Sequence, residues 1–203
     1  MSFGKLKTHL RGIINRKDLT DALAGDFINL GIKEIERVCR VGSMEALLKL
    51  SDWDGVRNSL TIPAQYLETI DIFTADGTLR LVSKDDFFAQ CPTGRPEVFI
   101  KTGKSWMIKP YPAPGTTVFL HYYAETLPLL TDTDENVWSQ AGFSAVVYAA
   151  AALAANYFQM EDQYVLSFQS KSDSLVEAIL SQDLSEKWSG KTNMGRVSGR
   201  GEY

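Results

Sequence analysis

Residues 93–130, TGRPEVFIKTGKSWMIKPYPAPGTTVFLHYYAETLPLL, constrain the fold more than any other stretch of the chain. Gly94-Arg95-Pro96 fixes one turn and Thr102-Gly103-Lys104 a second, because glycine reaches backbone angles closed to other residues and proline pre-sets its own. Around the second turn, Val98 to Ile100 and Trp106 to Ile108 have the β-branched and aromatic content of a hairpin. Pro110, Pro112, Pro114 and Gly115 then interrupt the ladder, since proline has no amide hydrogen to donate, and Val118 to Tyr123 resumes it. The segment is scaffold and holds no reactive constellation.

Short alternating runs extend this pattern back to Glu45: Ser59 to Ile62, Glu68 to Phe73 and Leu79 to Val82, with Asp76-Gly77 as a hairpin turn between the last two. Ser83, followed three residues later by Asp86, reads as the N-cap of a short helix through Phe87 and Phe88 that stops before Pro92. Both flanks of this β-rich module are helical. Phe3, Leu6, Leu10, Ile13 and Ile14 recur in steps of three and four, which predicts a helix over 3–14 broken by Asn15 to Asp18. A second helix starts near Asp18 or Thr20 and runs through Leu23, Phe27, Ile28, Ile35 and Val38 to about Arg40. Its Gly31 costs about 1 kcal/mol relative to alanine, which close approach by another helix would offset.

After a Thr- and Asp-rich loop over 127–134, helices are predicted over 137–158 and 162–188. Ala145, Ala149, Ala152 and Ala155 give the first a small-sided face, and Tyr164, Val165, Phe168, Leu175, Val176, Ile179 and Leu180 give the second its helical spacing. The fold class is α+β: a helical bundle from N- and C-terminal helices with an inserted β-rich module and an extended C-terminal tail. The expected divisions are 1–44, 45–135, 136–188 and 189–203.

With 203 residues and 44% hydrophobic content the chain can bury a substantial core. The longest apolar stretch, Ala145 to Ala155, falls short of the ~20 residues needed to span a bilayer, and no basic-then-apolar segment opens the sequence, so residence in the cytoplasm where it is made is expected. The net charge of -4 conceals a division: residues 1–40 carry eight basic and five acidic side chains, 41–186 nine and nineteen, and 187–203 four and one. An acidic body with basic ends suits protein partners better than non-specific duplex binding, which calls for a basic stripe.

Reactive groups are sparse. His9 and His121 lie 112 positions apart without ligand-spaced neighbours, and Cys39 and Cys91 form no C-x-x-C pair and read as reduced packing residues. Gly190-Lys191-Thr192 lacks the glycine five positions earlier that a phosphate-binding loop needs, since Ser185 stands there. His121 reads as a strand residue sharing a face with Phe119 and Tyr123, while Asp85-Asp86 and Asp132 with Asp134 read as cap and loop residues. No catalytic residue, cofactor or metal site is predicted. Trp53, Trp106, Tyr111, Tyr122, Tyr123, Trp138, Tyr148, Tyr157 and Tyr164 leave one alternative function, a small soluble module that stacks single-stranded nucleic acid or holds a host protein on an aromatic β surface. The acidic middle segment offers few basic residues to interleave, so core packing and subunit contacts are the favoured roles.

The order of short motifs adds a further expectation. A helical segment at Lys5 to Arg40 is followed by Ile62-Pro63-Ala64-Gln65-Tyr66-Leu67, Gly94-Arg95-Pro96, the aromatic hairpin, Tyr111 to Pro114, Tyr122 to Ala124 and an Ala/Tyr-rich helix. This order, over about residues 5–185, resembles the head-to-tail adaptor, or connector, proteins of short-tailed double-stranded-DNA bacteriophages. The resemblance implies a non-enzymatic structural virion protein at the head–tail interface. It would form a dodecameric ring that docks on the portal protein and offers a platform to the tail nozzle and fibres. Double-stranded DNA would pass through without specific binding. A ring needs two different faces to meet. Lys33, Arg37 and Arg40 are the candidates for one face, and Glu161, Asp162, Asp173 and Glu177 on the neighbouring copy for the other. In the tail, Trp188, Lys191, Met194, Arg196, Val197, Arg200 and Tyr203 combine apolar anchors with positive charge and are the candidate portal-binding residues.

Overall fold

The computed structural model describes residues 1–50 and 59–189, which fall into two compact units: Met1–Val41 with the chain from Leu129 onward, and Gly42–Pro128. The first is helical and the second carries the sheet, so the chain is α+β.

In the helical unit, α1 (Phe3–Ile14) buries Phe3, Leu6, Leu10 and Ile14 and ends at Asn15, whose left-handed φ of 49° suits an asparagine. The loop that brings the chain back caps its other end: the Phe3 amide donates to the Asp134 carbonyl at 2.9 Å and the Gly4 amide to that of Asp132 at 3.0 Å. α2 (Asp21–Val38) starts at Thr20, whose hydroxyl accepts from the Leu23 amide at 3.2 Å. Asn29 fastens the returning chain to α2 with both ends of its amide, donating to the Leu129 carbonyl at 2.9 Å and accepting from the Leu129 amide at 3.0 Å.

One buried cation ties three segments of this unit together. Lys7, with 9% of its side chain exposed, is bonded by Asp21 at the start of α2 and by Asp132 of the return loop, with the Phe3 ring 5.0 Å away. The hydrogen bonds Lys7 donates to Asp132 and Asp21 raise its pKa, and the one to Asp21 lowers that of Asp21.

The expected helix over 137–158 is two helices, α4 (Val137–Gln140) and α5 (Phe143–Tyr157). The break follows from Trp138, which is buried and donates its indole N–H to the Glu36 carboxylate on α2 at 2.8 Å. Its ring lies against Gly142, where a Cβ would come within 2.6 Å of Trp138 Cε3. α5 is the centre of the unit: Ala145, Ala149, Ala150, Ala151, Ala152, Ala154 and Ala155 are all buried, and α1, α2, α4 and α6 (Asp162–Ser189) pack on it. The close approach expected at Gly31 is made here, since a Cβ at that position would lie 3.0 Å from the Ala150 nitrogen and 3.3 Å from Ala149 Cβ.

Among the described residues the second unit has seven strands: β1 (Glu45–Leu50), β2 (Ser59–Thr61), β3 (Tyr66–Thr74), β4 (Gly77–Leu81), β5 (Val98–Thr102), β6 (Ser105–Lys109) and β7 (Val118–Ala124). They pair in the order β1-β7-β3-β4-β5-β6-β2. All neighbours are antiparallel except β4 and β5, whose parallel pairing is bridged by α3 (Lys84–Ala89), capped by Ser83 as expected. The hairpin at Thr102 to Lys104 forms as the turn residues predict, whereas the one expected at Asp76-Gly77 reverses one residue earlier, through Ala75-Asp76, with Gly77 already paired with Thr74.

This sheet is curled. β3 and β6 stand three places apart in the order, about 14 Å in a flat sheet, yet Trp106 on β6 donates its indole N–H to the Thr69 hydroxyl on β3 at 3.1 Å. Tyr66 meets the Trp106 ring edge-on at 5.1 Å. The interior is one cluster of Leu60, Ile72, Leu79, Phe99, Trp106, Ile108, Val118, Leu120 and Tyr122. Phe119, His121 and Tyr123 alternate to the opposite face, where His121 Nε2 lies 3.1 Å from a Glu45 carboxylate oxygen.

Two outcomes follow. Gly31→Ala gains helix propensity but pushes a methyl against α5 backbone that cannot rotate away. It is expected to lower stability by about 1 kcal/mol net, read as a reduced urea midpoint; an unchanged or raised midpoint would contradict the close packing. Because Lys7 depresses the Asp21 pKa, the stability Asp21 adds is present above its unfolded pKa of about 3.9 and lost as pH falls through the lower folded value. Melting of wild type and Asp21→Asn should therefore differ at pH 7 and converge in strong acid; a gap that widens in acid would reject the linkage.

Candidate assembly surface

The buried side of α2, made by Ala24, Phe27, Ile28, Gly31, Ile32 and Ile35, turns Lys33, Glu34 and Arg37 outward. Lys33 and Arg37 are exposed one turn apart, as the sequence reading requires of an interface. Arg40 is differently engaged. It lies beyond the helix, half-buried, and its Nη1 donates to the carbonyls of Glu36 and, at 2.9 Å, Cys39, satisfying the C-terminal end of α2.

The acidic candidates divide into two groups. Glu161 and Asp162 stand exposed at the start of α6, whereas Asp173 and Glu177 are exposed one turn apart near its middle, about 17 Å further along the axis. Asp173 borders a groove of about 260 Å³ whose walls are Glu34 and Val38 of α2 and Gln169, Asp173 and Val176 of α6, with Ala149 of α5 at its floor. The structure therefore brings Asp173 alongside α2 of its own chain. Trp188 is in the last turn of α6, while Lys191, Met194, Arg196, Val197, Arg200 and Tyr203 lie outside the described residues, as does Gly190-Lys191-Thr192.

α6 forms over the range that helical spacing predicts, but little of it is covered. It has 28 residues, about 42 Å, against 15 residues and about 22 Å for α5, on which it packs. Of its described side chains, only Ser172 and Val176 are buried, and Ser172 donates its hydroxyl to the Ala145 carbonyl at 3.1 Å. Leu166 is 68% exposed and Leu184 54%. Val38, expected on the packed face of α2, is 74% exposed, and Leu30 is 51% exposed. These apolar residues had no signal of their own, because periodicity names a face without saying how far its cover extends.

The residues weighed for chemistry have local structural roles. Asp86 returns its amide to the Ser83 cap, Asp134 accepts from the Leu130 and Thr131 amides at 2.8 Å each, and Asp132 holds Lys7. His9 meets Phe143 edge-on at 5.0 Å. Both cysteines are free thiols, and burial pushes Cys39 up to about 11. Among the described residues no group of three His, Cys, Asp or Glu side chains could hold a metal ion, and no helix is long and apolar enough to cross a membrane. Trp53 lies outside the described residues. Trp106 and Tyr122 point into the curled sheet, and Trp138 is buried among the helices.

What the geometry presents is a long, half-covered helix and opposed charges on a rigid helical scaffold, the surface of a protein that works by contact with other proteins. Comparison with protein families agrees with that class. The family described as SU10 adaptor protein matches residues 1–197, and the chain belongs to it. It is thus a phage head-to-tail adaptor with a structural role in the virion, in contact with other virion proteins. Comparison with curated proteins gives no match.

Proposed function

We propose that copies of this adaptor close into a dodecameric ring, docked on the portal and serving as the platform for the tail nozzle and fibres, with a channel through which the genome passes. The observation that carries this reading is family membership over nearly the whole chain. The charge division supports it. Lys33 and Arg37 on one copy meet acidic side chains of α6 on the next, Asp173 and Glu177 or Glu161 and Asp162, in the two-faced contact that a closed ring requires. Exposed pairs of this kind set register and association rate more than affinity. The acidic body also lets duplex DNA pass without being gripped. The tail from Trp188 to Tyr203 supplies the portal contact through Trp188, Met194, Val197 and Tyr203 as apolar anchors and Lys191, Arg196 and Arg200 as cations.

Electron microscopy of the protein mixed with its portal tests the ring directly. Lys33→Glu/Arg37→Glu should reduce ring assembly and leave melting unchanged; Arg40 is spared because its loss would also uncap α2. Rings that form normally from this variant would reject the charge assignment. Deleting the residues after Trp188 should leave the helical and sheet units folded and abolish portal binding; retained binding would make the tail a spacer.

A further inference from the structure

We propose that the groove between α2 and α6 is a seat for the chain's own C-terminal tail, which lies there until a partner displaces it. The chemistry of the groove selects the occupant. Val38, Ala149 and Val176 give it an apolar lining, and Glu34 on one wall and Asp173 on the other bring two carboxylates to its rim. A ligand with short apolar side chains and adjacent cations fits such a site. The last seventeen residues of this chain, 187–203, carry four basic side chains against one acidic, with Met194 and Val197 on either side of Arg196.

Chain length makes the same choice independently. α6 ends at Ser189, and Val176 in the groove lies thirteen residues earlier, about 20 Å back along the axis. An extended chain covers that distance in about six residues. Counting six past Ser189 reaches Gly195, so a tail folded back along α6 lays Met194 and Val197 over the apolar lining and Arg196 between the two carboxylates. Seat and segment share one chain, so the effective concentration is on the order of millimolar and a weak contact suffices.

Docking of this kind is a property of the isolated protein and does not rest on the portal reading. Where both hold, the portal competes with the groove for the same residues, and tail release becomes the step that exposes the α2–α6 face.

The test uses full-length protein and trypsin, following cleavage after Arg196 by intact mass. Wild type should be cut at least about fivefold more slowly than a free peptide of residues 188–203, and Glu34→Gln/Asp173→Asn should approach the peptide rate. Equal rates for wild type and peptide, or no acceleration in the variant, would overturn the proposal. A second measurement stands apart from charge: with Cys91→Ser, the pair Glu34→Cys and Arg196→Cys should oxidise to a disulfide within one chain at monomer mass. No bond, or one only between two copies, would reject the seat as assigned.

Discussion

The helical unit depends on α5 burying mostly alanine. Seven buried alanines line it where four other helices pack, and a methyl at Gly31 of α2 would lie 3.0 Å from the Ala150 nitrogen. Packing at that distance trades the side-chain volume of an ordinary core for contact between backbones, and each helix position becomes sensitive to a single added carbon. It also explains why the large buried groups sit at the margins of α5. Trp138 lies beneath the break before it, with its indole N–H held by Glu36, and Phe3, Leu6 and Leu10 pack from α1.

A short central helix with a long neighbour cannot cover that neighbour. α5 runs out after about 22 Å while α6 continues to about 42 Å, so Leu184 stays exposed beyond it, whereas Leu166 is exposed on the outer side of the stretch that Ser172 holds against Ala145. Exposed leucines on a rigid helix, beside carboxylates on α6 and cations on α2, are what an assembly protein needs: apolar area for affinity, and charge for register. Membership of an adaptor family puts the chain in contact with other virion proteins.

Much of the fold was legible locally. Thr20 and Ser83 cap helices because a hydroxyl there can reach a free amide, and the Thr102 to Lys104 turn sits where Gly103 permits the chain to reverse. The break at Ala141-Gly142 was not legible, because it is imposed by the Trp138 ring and its partner on a helix 102 residues earlier. The exposure of the candidate residues was legible in part. Lys33 and Arg37 are where helical spacing puts them, but Arg40 turns back to its own helix end, and Asp173 shares a groove with α2 of the same copy. Neither arrangement leaves a trace in spacing, since each is a choice among partners that are distant in the chain.

By itself the sequence determined the elements, their faces and the split between an acidic body and basic ends, because caps, turn residues and periodicity act over a few residues and charge is simply counted. Only the tertiary structure decided how the sheet curls and which part of α6 is left bare. A strand's alternation says which side is apolar, but not that β3 and β6 will meet across an interior. A helix's stripe likewise says where it wants cover, but not that the helix beneath it is half as long.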